Sequence, residues 1–125
     1  MVELALVSLI VRDYDEAISW YTRVMGFRLV RDEPQGSRRW VVIQADGGSA
    51  LLLAQAKNER EAAAIGNQHG GRVGFFLHVD DFDAACRRLS DGAVSFDENP
   101  RTEDYGKVVV FRDLYGNRWD LIQPA

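Results

Sequence analysis

His78 and Asp120 are the two side chains in this sequence whose types suit them to move a proton together. An imidazole titrates near neutrality and can act as acid or base, and a carboxylate beside it can orient the ring. His78 ends the run Gly74-Phe-Phe-Leu-His78, and Asp120 lies inside Arg118-Trp-Asp-Leu-Ile122. Strand alternation puts Gly74, Phe76 and His78 on one face, and Arg118, Asp120 and Ile122 on one face. A histidine on a strand also serves as a sheet-edge or subunit contact, and Arg118 can simply neutralise Asp120. His69, in a Gly-rich stretch, reads as a surface residue. Cys86 is the single cysteine, so no intrachain disulfide can form, and its neighbours suit a small buried hydrophobe.

An internal repeat lays out the elements that must hold these residues. Val11-Arg-Asp-Tyr-Asp-Glu-Ala17 matches Val79-Asp-Asp-Phe-Asp-Ala-Ala85, 68 positions later. Tyr14, Ala17, Ile18 and Tyr21 form the apolar stripe of an amphipathic helix, and Phe82, Ala85, Cys86 and Leu89 repeat it. Asp13 and Asp81 precede these helices as N-caps, and Gly26 and Gly92 stop them. Farther on, Trp40 to Gly47 matches Val109 to Gly116 at an offset of 69, with Asp46-Gly47 and Tyr115-Gly116-Asn117 as hairpin turns. Ala50 to Leu53 and Trp119 to Ile122 follow as last strands.

The sequence thus predicts strand 3–11, helix 13–25 and strands 27–33, 38–45 and 49–55. It then predicts strand 73–79, helix 81–91 and strands 93–97, 107–112 and 118–123. Residues 57–72 link modules at about 1–56 and 73–125, with a short polar helix over Asn58 to Ile65 and a glycine-rich remainder. The fold class is α+β, two tandem βαβββ modules in a single domain.

Composition narrows the partners. The formal charge of −4 carries no Lys/Arg-rich run, which argues against nucleic acid, since binding phosphates needs clustered cations. The longest apolar runs are far shorter than a membrane span, and the N-terminus lacks the features of a signal peptide. No membrane partner and a cytoplasmic location are expected.

Three motifs together resemble the vicinal-oxygen-chelate superfamily (glyoxalase, bleomycin-resistance protein, extradiol dioxygenase). They are Val11 to Ala17, Trp20-Tyr-Thr-Arg-Val-Met-Gly-Phe27 and Asp113-Leu-Tyr-Gly-Asn-Arg-Trp-Asp-Leu-Ile122. The resemblance covers essentially the whole chain. It implies cup-shaped mixed sheets with helices on the outer face, and a homodimer. In the family's metal enzymes, the first and last strands of each module supply the ligands, typically His and Glu. Carried onto this sequence, those positions are Leu6, Leu51, Gly74 and Asp120, of which only Asp120 can coordinate. No metal and no cofactor are expected.

What remains is a mainly apolar cup lined by Leu6, Ser8, Leu51, Leu53, Gly74 and Phe76, with Arg118 beside Asp120. Arg101, Glu103 and Tyr105 lie in a polar loop before a cup strand and are candidates for a specificity rim. The leading reading is a binder of a small organic molecule that lacks the family's metal site. The alternative is a metal-independent enzyme with His78 and Asp120 as acid and base. A metal-dependent lyase or dioxygenase stands third.

Overall fold

The computed structural model describes residues 1–125 and divides them into two compact units, Met1–Ile65 and Gly66–Ala125. The first unit runs β1 (Leu6–Val11), α1 (Tyr14–Arg23), β2 (Arg28–Gln35), β3 (Arg38–Gln44), β4 (Ala50–Gln55) and α2 (Glu59–Ala64). Its sheet has the order β1-β4-β3-β2, with β1 and β4 parallel and the other pairs antiparallel. The Asp13 carboxylate caps α1 by accepting from Glu16 N at 2.8 Å, and Gly26 leaves the helix at φ 72°. Tyr14, Ala17 and Tyr21 turn their stripe into the core against Leu9, Val41, Ile43 and Leu53 on the same side of the sheet. Asn58 caps α2 through Glu61 N at 2.8 Å.

The second unit repeats the plan with β5 (Phe75–His78), α3 (Phe82–Asp91), β6 (Arg101–Glu103), β7 (Gly106–Arg112) and β8 (Arg118–Pro124). The order β5-β8-β7-β6 and the parallel β5–β8 pair reproduce the first sheet. The fold is α+β, two βαβββ modules. Asp81 caps α3 by accepting from Ala84 N at 3.0 Å. Phe82 and Leu89 are buried where Tyr14 and Tyr21 are in the first unit, while Ile18 and Cys86 are half-buried. Phe75 and Phe111 flank the Trp119 ring at centroid distances of 4.5 and 5.9 Å.

One strand differs from expectation. Residues 93–97 form no full strand. Only Phe96 bridges to Phe111, supported by Asp97 N to Val110 O and Arg112 N to Ser95 O, both 2.9 Å. The regular edge strand is β6, which pairs Arg101 with Val108 and Glu103 with Gly106. Pro100, which has no N–H to donate, stands immediately before β6 and helps explain the break. The α3 exit is also unusual, since Ala93 rather than Gly92 takes positive φ, at 60°.

The β7–β8 turn is built on Asp113. Its buried carboxylate accepts from Tyr115 N at 3.0 Å, Asn117 N and Asn117 Nδ2 at 2.9 Å, and Trp119 Nε1 at 3.0 Å. Gly116 turns the chain at φ 98°. No helix of the chain is long and apolar enough to cross a membrane.

Candidate functional site

In the second sheet, residues paired across strands share a face, so the register defines rows. Phe75, Trp119 and Leu121 lie on the α3 side, where the Gln123 side chain also accepts from Phe82 N at 2.8 Å. The face turned away from α3 carries one row of Phe76, Asp120 and Val110, and another of His78, Ile122 and Val108. Arg112 and Arg118 form the row beyond, beside Gly74, whose N donates to Arg118 O at 3.1 Å. Val108, Val110 and Ile122 are buried, whereas Phe76 is 62 % exposed. The face therefore combines an apolar floor, an accessible aromatic ring and one carboxylate with the exposed His78 and, in the row beyond, Arg112 and Arg118.

That carboxylate is Asp120, and its Oδ1 is buried without a hydrogen-bond partner. Burial pushes the Asp120 carboxyl above its ordinary range, Arg101 and Arg118 pull it back down, and Glu98 adds to the rise. The two cations are directed elsewhere. Arg101 binds Glu98 at 2.9 Å and Glu103 at 2.7 Å, and it donates to Tyr105 Oη at 3.3 Å. Arg118 binds Asp97 at 3.0 Å and donates to Gly71 O at 3.1 Å. The expected rim residues Arg101, Glu103 and Tyr105 are thus joined into one group, with Tyr105 half-exposed.

His78 and Asp120 share a face but do not form a pair. His78 stands opposite Ile122, one row from Asp120, and no hydrogen bond or ion pair joins them. The exposed imidazole is not oriented by the carboxylate. His69, expected at the surface, is half-buried with its ring edge-on to Phe75 at 5.0 Å. A Cβ built on Gly74 would run into the His69 ring. The space beside Gly74 is therefore taken by a side chain that sequence reasoning missed. No spacing pattern in the glycine-rich stretch announces this contact.

In the first sheet, Leu6, Ser8 and Ile10 do face away from α1, and their partners are Ala50, Leu52 and Ala54. Leu51 and Leu53, expected beside Leu6 and Ser8, instead pair with Val7 and Leu9 on the α1 side, at 7 % and 1 % exposure. A one-residue slip in the repeat alignment turned them to the wrong face. Ser8 pairs with Leu52 as Phe76 pairs with Asp120, so the counterpart of Asp120 is Leu52, 68 residues earlier. The positive-φ glycines agree: Gly48 at 84° matches Gly116 at 98°.

Cys86 is half-buried beside a cleft of about 410 Å³, with Phe82, Arg87, Pro100 and Lys107 among its walls. Burial and then Asp83 push the thiol up, away from its reactive form.

Residues 3–121 match the Glyoxalase/Bleomycin resistance protein/Dioxygenase superfamily. The chain belongs to this superfamily. An uncharacterized protein of Shewanella frigidimarina is 46 % identical over 121 residues, covering 94 % of this chain and 90 % of that one. Among solved structures, TnmS3, an antibiotic binding protein from Streptomyces sp. CB03234, superposes with a TM-score of 0.80 at 29 % identity. That match covers 100 % of this chain and 98 % of TnmS3. UcmS2 superposes with a TM-score of 0.83 at 28 % identity, covering 98 % of both chains.

The metal enzymes of the superfamily hold their ion on the first and last strands of each module. Carried over by resemblance and corrected for the observed register, those positions correspond to Leu6, Leu52, Gly74 and Asp120, of which only Asp120 has a ligating side-chain atom. Nowhere in the chain do three His, Cys, Asp or Glu side chains gather into a group able to hold a metal ion. At these four positions the chain offers one ligand, whereas a catalytic zinc ion takes about three.

Proposed function

We propose that this protein binds a small organic molecule on the face carrying Phe76 and Asp120, without a metal ion. The observation that carries the reading is the composition of that face. A ring 62 % exposed stands beside buried Val110 and Ile122 and a single carboxylate with an unpartnered oxygen. Small-molecule sites are mostly apolar with a few placed polar groups, and this face has that make-up. Likeness to TnmS3, an antibiotic binding protein, supports the same reading. Gly74, Arg101, Tyr105 and Arg118 are its proposed contacts in the second unit, and Leu6 and Ser8 are proposed ligand contacts on the corresponding face of the first unit, considered by itself. The reading includes a homodimer in the cytoplasm.

An acid–base enzyme has less support, because His78 is opposite Ile122 rather than joined to Asp120. A thermal-shift screen of antibiotics and small metabolites tests the proposal, since a ligand that binds only the folded chain raises its Tm. A hit that Phe76→Ser abolishes is expected, while nickel, zinc, iron and manganese leave Tm unchanged. Stoichiometric metal in untagged protein, lost in Asp120→Ala, overturns the metal-free reading.

A further inference from the structure

We infer that the bound molecule presents a cationic or N–H-bearing head to Asp120 and an apolar, preferably flat, body to Phe76. The inference rests on the binding face proposed above and adds the chemistry of its ligand. Asp120 Oδ1 is an acceptor shielded from water with no donor reaching it. Such an atom costs stability unless something supplies the missing hydrogen bond. The fold does not need it there, because the matching position in the first module is Leu52.

The chain does not supply the donor. Arg101 is held by Glu98, Glu103 and Tyr105, and Arg118 by Asp97 and Gly71 O. The two glutamates on Arg101 more than offset its single charge, so a cation is not repelled from this side. Beside it, in register, the Phe76 ring is 62 % exposed and can take a flat apolar group or the face of a cation. A carboxylate-bearing molecule would place like charges together in a desolvated site and is disfavoured.

Three fluorescent probes that differ in one group test this: 1-naphthylmethylammonium, 1-methylnaphthalene and 1-naphthoate. The ammonium compound should bind about tenfold or more tightly than 1-methylnaphthalene, as a charge-assisted hydrogen bond allows, and naphthoate should bind weakest. Asp120→Leu, a change to the residue of the first module, should abolish that preference. Asp120→Asn, which keeps the shape but not the charge, should reduce the preference too. Equal binding of the ammonium and methyl compounds by the native chain overturns the inference, as does a preference that survives in both variants. If 1-methylnaphthalene binds and Phe76→Ser removes it, only the inference about the head group has failed. If none of the three binds, the binding face itself is overturned.

Discussion

Phe76 and Asp120 stand opposite each other on the parallel β5–β8 pair, with the ring 62 % exposed and the carboxylate Oδ1 buried. The apolar ring is therefore largely accessible while one oxygen of the half-buried carboxylate is not, the reverse of ordinary burial. A folded chain pays for such an arrangement, and a cost of that kind points to a site kept for binding.

Replacing the carboxyl should show that cost. Folding raises the Asp120 carboxyl above its ordinary value, so the native chain holds this proton more tightly than the unfolded chain. Its contribution is most favourable below the ordinary carboxylate range and is lost as pH rises through the raised value. Asp120→Leu should therefore stabilise the protein by about 1 kcal/mol at neutral pH, from an unmet acceptor removed. The gain should shrink as the buffer is acidified. Urea unfolding at a series of pH values checks both the sign and the trend.

Asp97 should behave in the opposite sense. It accepts from Arg112 Nε at 2.8 Å and Arg118 Nε at 3.0 Å, bridging two like charges paired across β7 and β8. Arg112 and then Arg118 hold its carboxyl below the ordinary range, against the upward pull of burial. That stabilisation is full above the ordinary carboxylate range and is lost as pH falls through the lowered value. Asp97→Asn should cost about 1 kcal/mol at neutral pH, allowing for partial solvent screening. The difference from the native chain should vanish in strong acid.

The contact between His69 and Gly74 is open to a double-mutant cycle. Gly74→Ala forces a methyl group into the His69 ring and should destabilise the chain by about 1–3 kcal/mol. His69→Ala alone loses the edge-on contact with Phe75. The two changes together should cost less than their sum, because the added methyl then has room. Strict additivity in thermal unfolding would show that the ring does not fill that space.

Strand register in the first module can be read from leucine truncations. Leu53 is 1 % exposed on the α1 side, so Leu53→Ala should cost about 2–5 kcal/mol. Leu52, half-buried on the opposite face beside Ser8, should cost clearly less when cut to Ala. Equal losses in chemical denaturation would contradict the register.

The sequence by itself determined the two modules, because helix stripes, caps and strand alternation are local patterns that recur 68 residues apart. It also determined that Leu6 and Gly74 offer no ligating atom and that Phe76, His78 and Asp120 share a face. Where it misled, the error was one residue. Gly47 and Gly48 are adjacent, and choosing Gly47 as the partner of Gly116 shifted the last strand of the first module by one. Only Gly48 has the positive φ of Gly116, and a period of two turns that shift into the wrong face for Leu51 and Leu53. Residues 93–97 failed as a full strand because edge pairing depends on the partner strand, which the local pattern does not contain. Tertiary structure alone decided that His78 meets Ile122 rather than Asp120, and that the His69 ring fills the space beside Gly74. It alone decided that the arginines nearest Asp120 are committed to other acids and carbonyls. These are questions of reach between residues distant in the chain, and spacing along one strand carries no information about them.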